Sequence, residues 1–225
     1  MKNLGMQAFG GFLFLFLVMS SSIFLPAWTF DYWQAWTFLA VFFASVLTIT
    51  IYLMKKDPKL LERRVRGGPS AEKEKSQQVI QSIAGIAFIA IFLISALDHR
   101  FGWSAVSLFI VLVGDVLVAL GLLVVFLVFR ENTFTSATIE IATDQKVIST
   151  GPYSLVRHPM YSGAFIMLLG VPIALGSWWG LLAVIPVIIV IVARLFDEEK
   201  FLAQSLVGYP EYLNRVLYRL IPFVW

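Results

Sequence analysis

The chain has 225 residues, of which 59% are hydrophobic and 14% charged, and its mean hydropathy is +0.84. That composition excludes a water-soluble domain, which needs far more polar surface to stay dissolved. The net charge of +3 comes without a basic stripe interleaved with aromatics outside the apolar runs, which argues against a nucleic-acid partner. Cysteine is absent, which excludes disulfides, thiolate-held metal, iron–sulfur clusters and a cysteine nucleophile. The two histidines, His99 and His158, do not suffice for a multi-His metal site.

In chain order, apolar runs predict six transmembrane helices, at about 6–25, 34–54, 80–97, 105–129, 161–175 and 180–196. The first is too long for a signal-peptide core and lacks a small-residue cleavage site. The fifth is the shortest; at 1.5 Å per residue it covers about 22 Å, so it should begin inside the interface or in a thinned region. The expected fold is an all-α polytopic membrane bundle with both termini cytoplasmic.

Charge supplies the orientation. With the N-terminus inside, the inside segments hold Lys2; Lys55, Lys56, Lys59, Arg63, Arg64, Arg66, Lys73 and Lys75; Arg130, Lys146 and Arg157; and Arg194, Lys200, Arg215 and Arg219. These are 16 of the 17 Lys+Arg, as the positive-inside rule requires. Asp31, Asp98 and Arg100 mark two short outside turns, and Ser177-Trp178-Trp179-Gly180 a third. Inside loop 55–79 reads as a solvated connector with a short amphipathic helix around Pro58–Val65 and a Gly67-Gly68-Pro69 break. Inside loop 130–160 is longer and of mixed polarity; such loops are often functional. The aromatic tail 197–225 lies on the same side, so an active site is expected there.

Two clusters carry chemistry. The first runs from Gly151-Pro152-Tyr153 to Arg157-His158-Pro159-Met160-Tyr161-Ser162-Gly163. Pro159 suits the first turn of a helix, placing His158 near the cap and Tyr161 one turn on. The free N–H groups of that turn favour an anionic group, and Arg157 adds a fixed positive charge. The alternative is an interfacial anchor, with Arg, His and Tyr simply at the headgroups. The second cluster is Arg194 to Lys200, where Arg194 and Glu198 share a helix face at i, i+4 and Asp197, Glu198 and Glu199 follow the span exit. It reads either as a carboxylate for a cationic ligand or as a solvated helix end with a local ion pair. Together the clusters would suit a zwitterionic amino acid moiety.

The run Gly-Pro-Tyr-x3-Arg-His-Pro-x-Tyr-x-Gly resembles the signature of the isoprenylcysteine carboxyl methyltransferase family. Arg194-x3-Glu198-Glu199-x2-Leu202, then Gly208-Tyr209-x2-Tyr212 and Arg219-x2-Pro222, are similar to that family's C-terminal pattern in order and spacing. The resemblance covers roughly residues 115–225. It implies an S-adenosylmethionine-dependent membrane methyltransferase, with N-terminal helices in 1–104 and a methyltransferase core in 105–225. It is consistent with this that no G-x-G-x-x-G follows a strand pattern.

By that resemblance, Gln145, Lys146, Val147 and Ile148 would contact the cofactor, largely through backbone, together with Tyr153, Arg157, His158 and Tyr161. Glu198 would take its amino group and Arg194 the methyl acceptor, perhaps its carboxylate; Arg194, Glu198 and His158 are the expected catalytic residues. Tyr209 and Tyr212 are further pocket candidates. A carboxylate acceptor is already ionised at neutral pH, so positioning and desolvation matter more than a general base. A thiol or amine would need one, from His158 or Glu199. The implied partners are the bilayer, a lipophilic acceptor and no metal, in a bacterial inner membrane with the site facing the cytoplasm. Alternatives are a sterol-reductase-like NADPH enzyme, which carries a related Arg-His-Pro-x-Tyr motif, and a non-catalytic transporter or assembly protein with a water path at Asp115.

Other residues have plainer expectations. Asp115, with Gly114 and Gly121 nearby, reads as an interhelical contact, and His99 as a surface residue. Arg130, Glu131 and Asn132 should line an entrance or end the fourth span, and Pro172 and Pro186 should kink the last two.

Overall fold

A computed structural model describes residues 2–72, 74–139 and 145–225, with residues 2 and 3 as backbone only. Lys73, counted above among the inside charges, and 140–144 of the long inside loop lie outside the described residues. The described residues form helices and irregular segments, without strands. The helices are α1 (Lys2–Ala27), α2 (Trp33–Lys56), α3 (Pro58–Val65), α4 (Lys75–Phe101), α5 (Leu108–Glu131), α6 (Pro159–Ala174), α7 (Gly180–Ser205) and α8 (Tyr209–Arg215).

Five of them, α1, α2, α4, α5 and α7, are long and apolar enough to cross a membrane. With the 16-residue apolar α6 they correspond to the six expected spans, and the chain is an integral membrane protein. The bundle core is aliphatic and aromatic, with Met19, Ile23, Phe38, Phe92, Val118, Val171 and Val184 buried together. Outward faces are equally apolar; Phe14, Ile86, Phe109 and Ile189 are all exposed, as lipid-facing side chains should be.

Short α6 is held by close backbone packing on α5. A Cβ on Gly121 would come within 2.5 Å of the Gly163 carbonyl oxygen, and one on Gly163 or Gly170 within 2.8 Å of the Gly121 or Gly114 carbonyl oxygen. Small residues at such crossings let helix backbones approach within a membrane, where no hydrophobic force separates protein from lipid. Gly114 and Gly121 thus pack as the sequence suggested. Asp115 beside them is buried.

Several boundaries differ from expectation. α4 begins at Lys75 and runs through Phe101, because polar helix formers extend it beyond the apolar run. Asp98 is therefore inside a helix rather than in a turn. It is buried and accepts hydrogen bonds from the Ser104 amide and hydroxyl (2.7 and 2.6 Å) and the Ser177 hydroxyl (2.5 Å). His99 is not a plain surface residue, since its ring stacks on Tyr32 at 3.7 Å. α7 continues to Ser205, so the acidic triplet lies within a continuous helix that runs on past the apolar run, through residues most of which are good helix formers.

Loop 55–79 is also not the solvated connector expected. α3 does form over Pro58–Val65, with the Asp57 side chain accepting from the Leu60 amide at 3.0 Å and Leu60 and Leu61 buried. The chain after it is lashed to the segment following α5. Arg63 donates to the Thr133 carbonyl, and Arg64 donates to the Ser136 carbonyl at 2.9 Å. Thr133 donates to Asp57, and a Cβ on Gly67 would overlap Ala137.

Candidate active site

The site grows from the start of α6. Pro159 occupies its first position, and no side chain caps the helix. The two residues before it are fixed by the C-terminal tail, as the Arg157 and His158 amides donate to the Tyr218 and Arg219 carbonyls at 2.9 and 3.0 Å. Ser162 donates to the Leu220 carbonyl at 2.6 Å. The tail and the helix start are therefore one unit.

Helical periodicity on α7 then presents two faces. Arg194, Glu198 and Leu202, spaced by four, line a cleft. Glu199, one residue off that face, points to the tail and binds Arg157 (3.2 Å), His158 (3.3 Å) and Arg219 (3.0 Å). Glu199 is buried and absent from the cleft wall. It is thus an ionic hub behind the site, not a base facing it.

The cleft encloses about 880 Å³, open mouth included. Its wall contains Gln145, Lys146, Val147, Ile148, Tyr153, Arg157, His158, Tyr161, Arg194 and Glu198, together with Tyr209 and Tyr212. Apart from Glu199, the catalytic and cofactor-contacting residues expected from the sequence are thereby brought to one cavity. Within it the Tyr161 hydroxyl donates to Glu198 Oε2 at 2.6 Å. The His158 and Tyr161 rings lie 5.7 Å apart, stacked at 27°.

The helix ends supply the rest of the wall. Gly208 sits at φ +85°, a left-handed conformation natural to glycine, and caps α8. This turn buries Tyr209 and Tyr212, and the Tyr212 hydroxyl donates to the Tyr153 carbonyl at 2.8 Å. Asn132, just past α5, donates to the Tyr153 hydroxyl at 3.0 Å, so it both ends that helix and lines the cleft. Burial pushes the Tyr153, Tyr209 and Tyr212 phenols above their ordinary range, which keeps them neutral.

Arg194 and Glu198 do not form the i, i+4 ion pair that their spacing allows. Arg194 instead donates to Glu72 (2.7 Å), Gln77 (3.0 Å) and the Ala137 carbonyl (3.2 Å). Glu72 also accepts from Gln81 at 2.5 Å and from the Ile139 amide at 3.3 Å. Sequence reading missed Glu72 and Gln77, because they sit in a polar stretch more than 110 residues from their partner with no periodic or motif signal.

Asp115 does not line the cleft, and no group of three or more His, Cys, Asp or Glu able to hold a metal occurs among the described residues.

Residues 109–207 match the family model described as phospholipid methyltransferase. The segment takes in α5, α6 and α7 and stops just before Gly208. A curated relative, the cobalt-zinc-cadmium resistance protein CzcN of Cupriavidus metallidurans, is 31% identical over 108 residues, 46% of this chain and 48% of that protein. The chain thus spans about half the length of the curated relative it matches. Over residues 109–207, less than half of its length, the chain is similar to phospholipid methyltransferases.

Proposed function

We propose that the protein transfers a methyl group from S-adenosylmethionine to a lipophilic acceptor at the cytoplasmic membrane interface, the acceptor being a carboxylate such as an isoprenylcysteine-type group. The observation that carries this reading is the 2.6 Å contact between Tyr161 on α6 and Glu198 on α7 inside the cleft. It sets a carboxylate beside an uncapped helix N-terminus, the two features that a zwitterionic amino acid moiety needs.

The wall fits the cofactor in chemical kind. Glu198 would hold its amino group and the start of α6 its carboxylate. Residues 145–148, with Tyr153, Tyr209 and Tyr212, offer backbone and neutral aromatic surface for the adenosyl part. His158 and Tyr161 form a stacked aromatic face over the same space. When bound, S-adenosylmethionine would supply an electrophilic methyl group to the acceptor oxygen, the electron pair of the broken methyl–sulfur bond staying on sulfur to leave S-adenosylhomocysteine.

The protein's own work is to orient and to exclude water. The Arg157–Glu199–Arg219 hub fixes the cleft floor, and the tail closes against α6. A carboxylate acceptor arrives ionised, so no side chain need remove a proton, and proximity in a desolvated site supplies the rate. Arg194 faces the cleft as a hydrogen-bond donor to the acceptor, its charge balanced by Glu72. The charge asymmetry of the loops supports a cytoplasmic position for this end of the bundle, where the donor is available while the acceptor enters from the bilayer.

Calorimetric titration of the purified protein in lipid nanodiscs tests the reading. S-adenosylmethionine should bind, and Glu198→Gln and His158→Ala should each weaken binding at least tenfold, about 1.4 kcal/mol. Wild-type affinity in both variants would remove these residues from the site.

A further inference from the structure

Residues 220–225 close into a compact turn. The Leu220 and Ile221 amides donate to the Trp225 carbonyl oxygen at 2.8 and 2.9 Å, and the Val224 and Trp225 amides donate back to the Ile221 carbonyl at 3.1 Å each. Within it Phe223 takes a left-handed φ of +64°, uncommon for a bulky residue and held here by those four hydrogen bonds. The result is an apolar tip that points away from the protein, with Phe223 and Val224 at 85% and 74% exposure and Ile221 exposed beside them. Contiguous exposed apolar surface of this kind marks a site of interaction.

The position of the turn identifies its partner. On α7, Leu182, Ile185, Ile189 and Phe196 are exposed. At about 100° per residue they fall within about 60° of one another, a single stripe facing lipid. Lys200, also exposed, lies on the same stripe one turn past Phe196, where a basic side chain can reach up to headgroups from the edge of the hydrocarbon layer. The turn packs at that edge. The Trp225 and Phe196 rings are 6.1 Å apart, and the Arg219 guanidinium lies over both, 5.7 and 5.4 Å from their centroids. A tryptophan beside a cation at the end of an apolar stripe is the pattern of a membrane–water interface.

Independently of the chemistry proposed above, we infer that this turn is a lipid-binding surface: Ile221, Phe223 and Val224 insert into the leaflet at the cleft end of the bundle, with Trp225 and Arg219 at headgroup level. The occupant is the leaflet rather than a protein partner, because the turn prolongs a stripe of α7 that already faces lipid. The insertion needs no large apolar area, since the six spans hold the protein in the bilayer and the turn only has to be seated beside them. The seat adjoins the cleft. The Arg157 and His158 amides donate to the Tyr218 and Arg219 carbonyls, and Ser162 donates to Leu220, while Arg219 also reaches Glu199 at 3.0 Å. The start of α6 is thus tied to a segment resting on the interface, the level at which the polar end of a lipophilic molecule lies.

The chain contains no cysteine, so one introduced thiol takes one label. Val224→Cys, Ile221→Cys and, as a reference on the exposed side of α8, Glu211→Cys are labelled with a fluorophore in phosphatidylcholine–phosphatidylglycerol nanodiscs. Each is quenched in turn by iodide in the water and by phosphatidylcholine carrying a nitroxide near the top of its acyl chain. The labels at 224 and 221 should be quenched about threefold more than the label at 211 by the nitroxide lipid, and about threefold less by iodide. Iodide quenching equal to that at 211 would put the turn in water and overturn the inference. Shielding from both quenchers would mean a protein cover, such as a second copy of the chain, and would overturn it as well. Either labelled position decides the matter alone if the other substitution prevents folding, and neither result bears on the proposed methyl transfer.

Discussion

Glu199 shows how one side chain can stabilise a site without entering it. Its carboxylate accepts from Arg157 and Arg219 and meets His158 Nε2, while Arg157 also donates to the Val216 and Leu213 carbonyls at 2.6 and 2.9 Å. Removing that charge leaves two partly buried arginines without a counterion, and breaking a largely buried pair in this way costs roughly 3 kcal/mol. Glu199→Gln should therefore lower unfolding stability by about that amount in denaturant titrations of micelle-solubilised protein. A loss below about 1 kcal/mol would mean that the hub is not structural. The family resemblance implied one site for Tyr153, His158, Tyr161, Arg194 and Glu198, while spacing alone showed that Arg194 and Glu198 share a helix face. The sequence could not separate Glu198 from Glu199, since a single 100° step around α7 divides cleft from hub and depends on where α6 packs. It also gave no hint of Glu72, whose role follows from tertiary contact alone.

At the scale of elements, the crossing of α5 and α6 sets the position of the site. α6 is 16 residues long, about 24 Å, and its N-terminus must be held at the depth of the α7 carboxylates. The glycine contacts along α5 and α6 provide this by bringing backbone against backbone. Gly121→Leu should force the helices apart and abolish the folded form in thermal-unfolding measurements. Gly11→Ala on α1, where a Cβ would meet nothing within 4 Å, should leave stability within about 0.5 kcal/mol. Equal effects of the two substitutions would mean that the crossing is not close-packed. The spans themselves were legible as apolar runs, and α3 was legible to the residue from Pro58 and its flanking charges. The missed helix ends are those where polar helix formers continue an apolar run, at Lys75 and past Phe196. Hydropathy marks where the membrane is, not where the hydrogen-bond ladder stops.

For the whole molecule, the N-terminal helices are more than an anchor appended to a catalytic half. Asp57, Arg63 and Arg64 from the segment around α3 grip the segment after α5, and Glu72 and Gln77 hold Arg194 on α7. The cleft thus sits where both halves meet, at the end of the bundle that carries most of the positive charge. Such a placement suits a donor from water and an acceptor from lipid. The decisive measurement is methyl transfer in native membranes, using S-adenosylmethionine labelled on the methyl group and following label into the lipid-extractable fraction. Labelled lipophilic product is expected whose label is released as methanol by mild base, the mark of a methyl ester, and no such product with Glu198→Gln. Base-stable label would point to an amine or thiol acceptor and contradict the carboxylate assignment. Label no greater than in the Glu198→Gln membranes would contradict the enzyme itself.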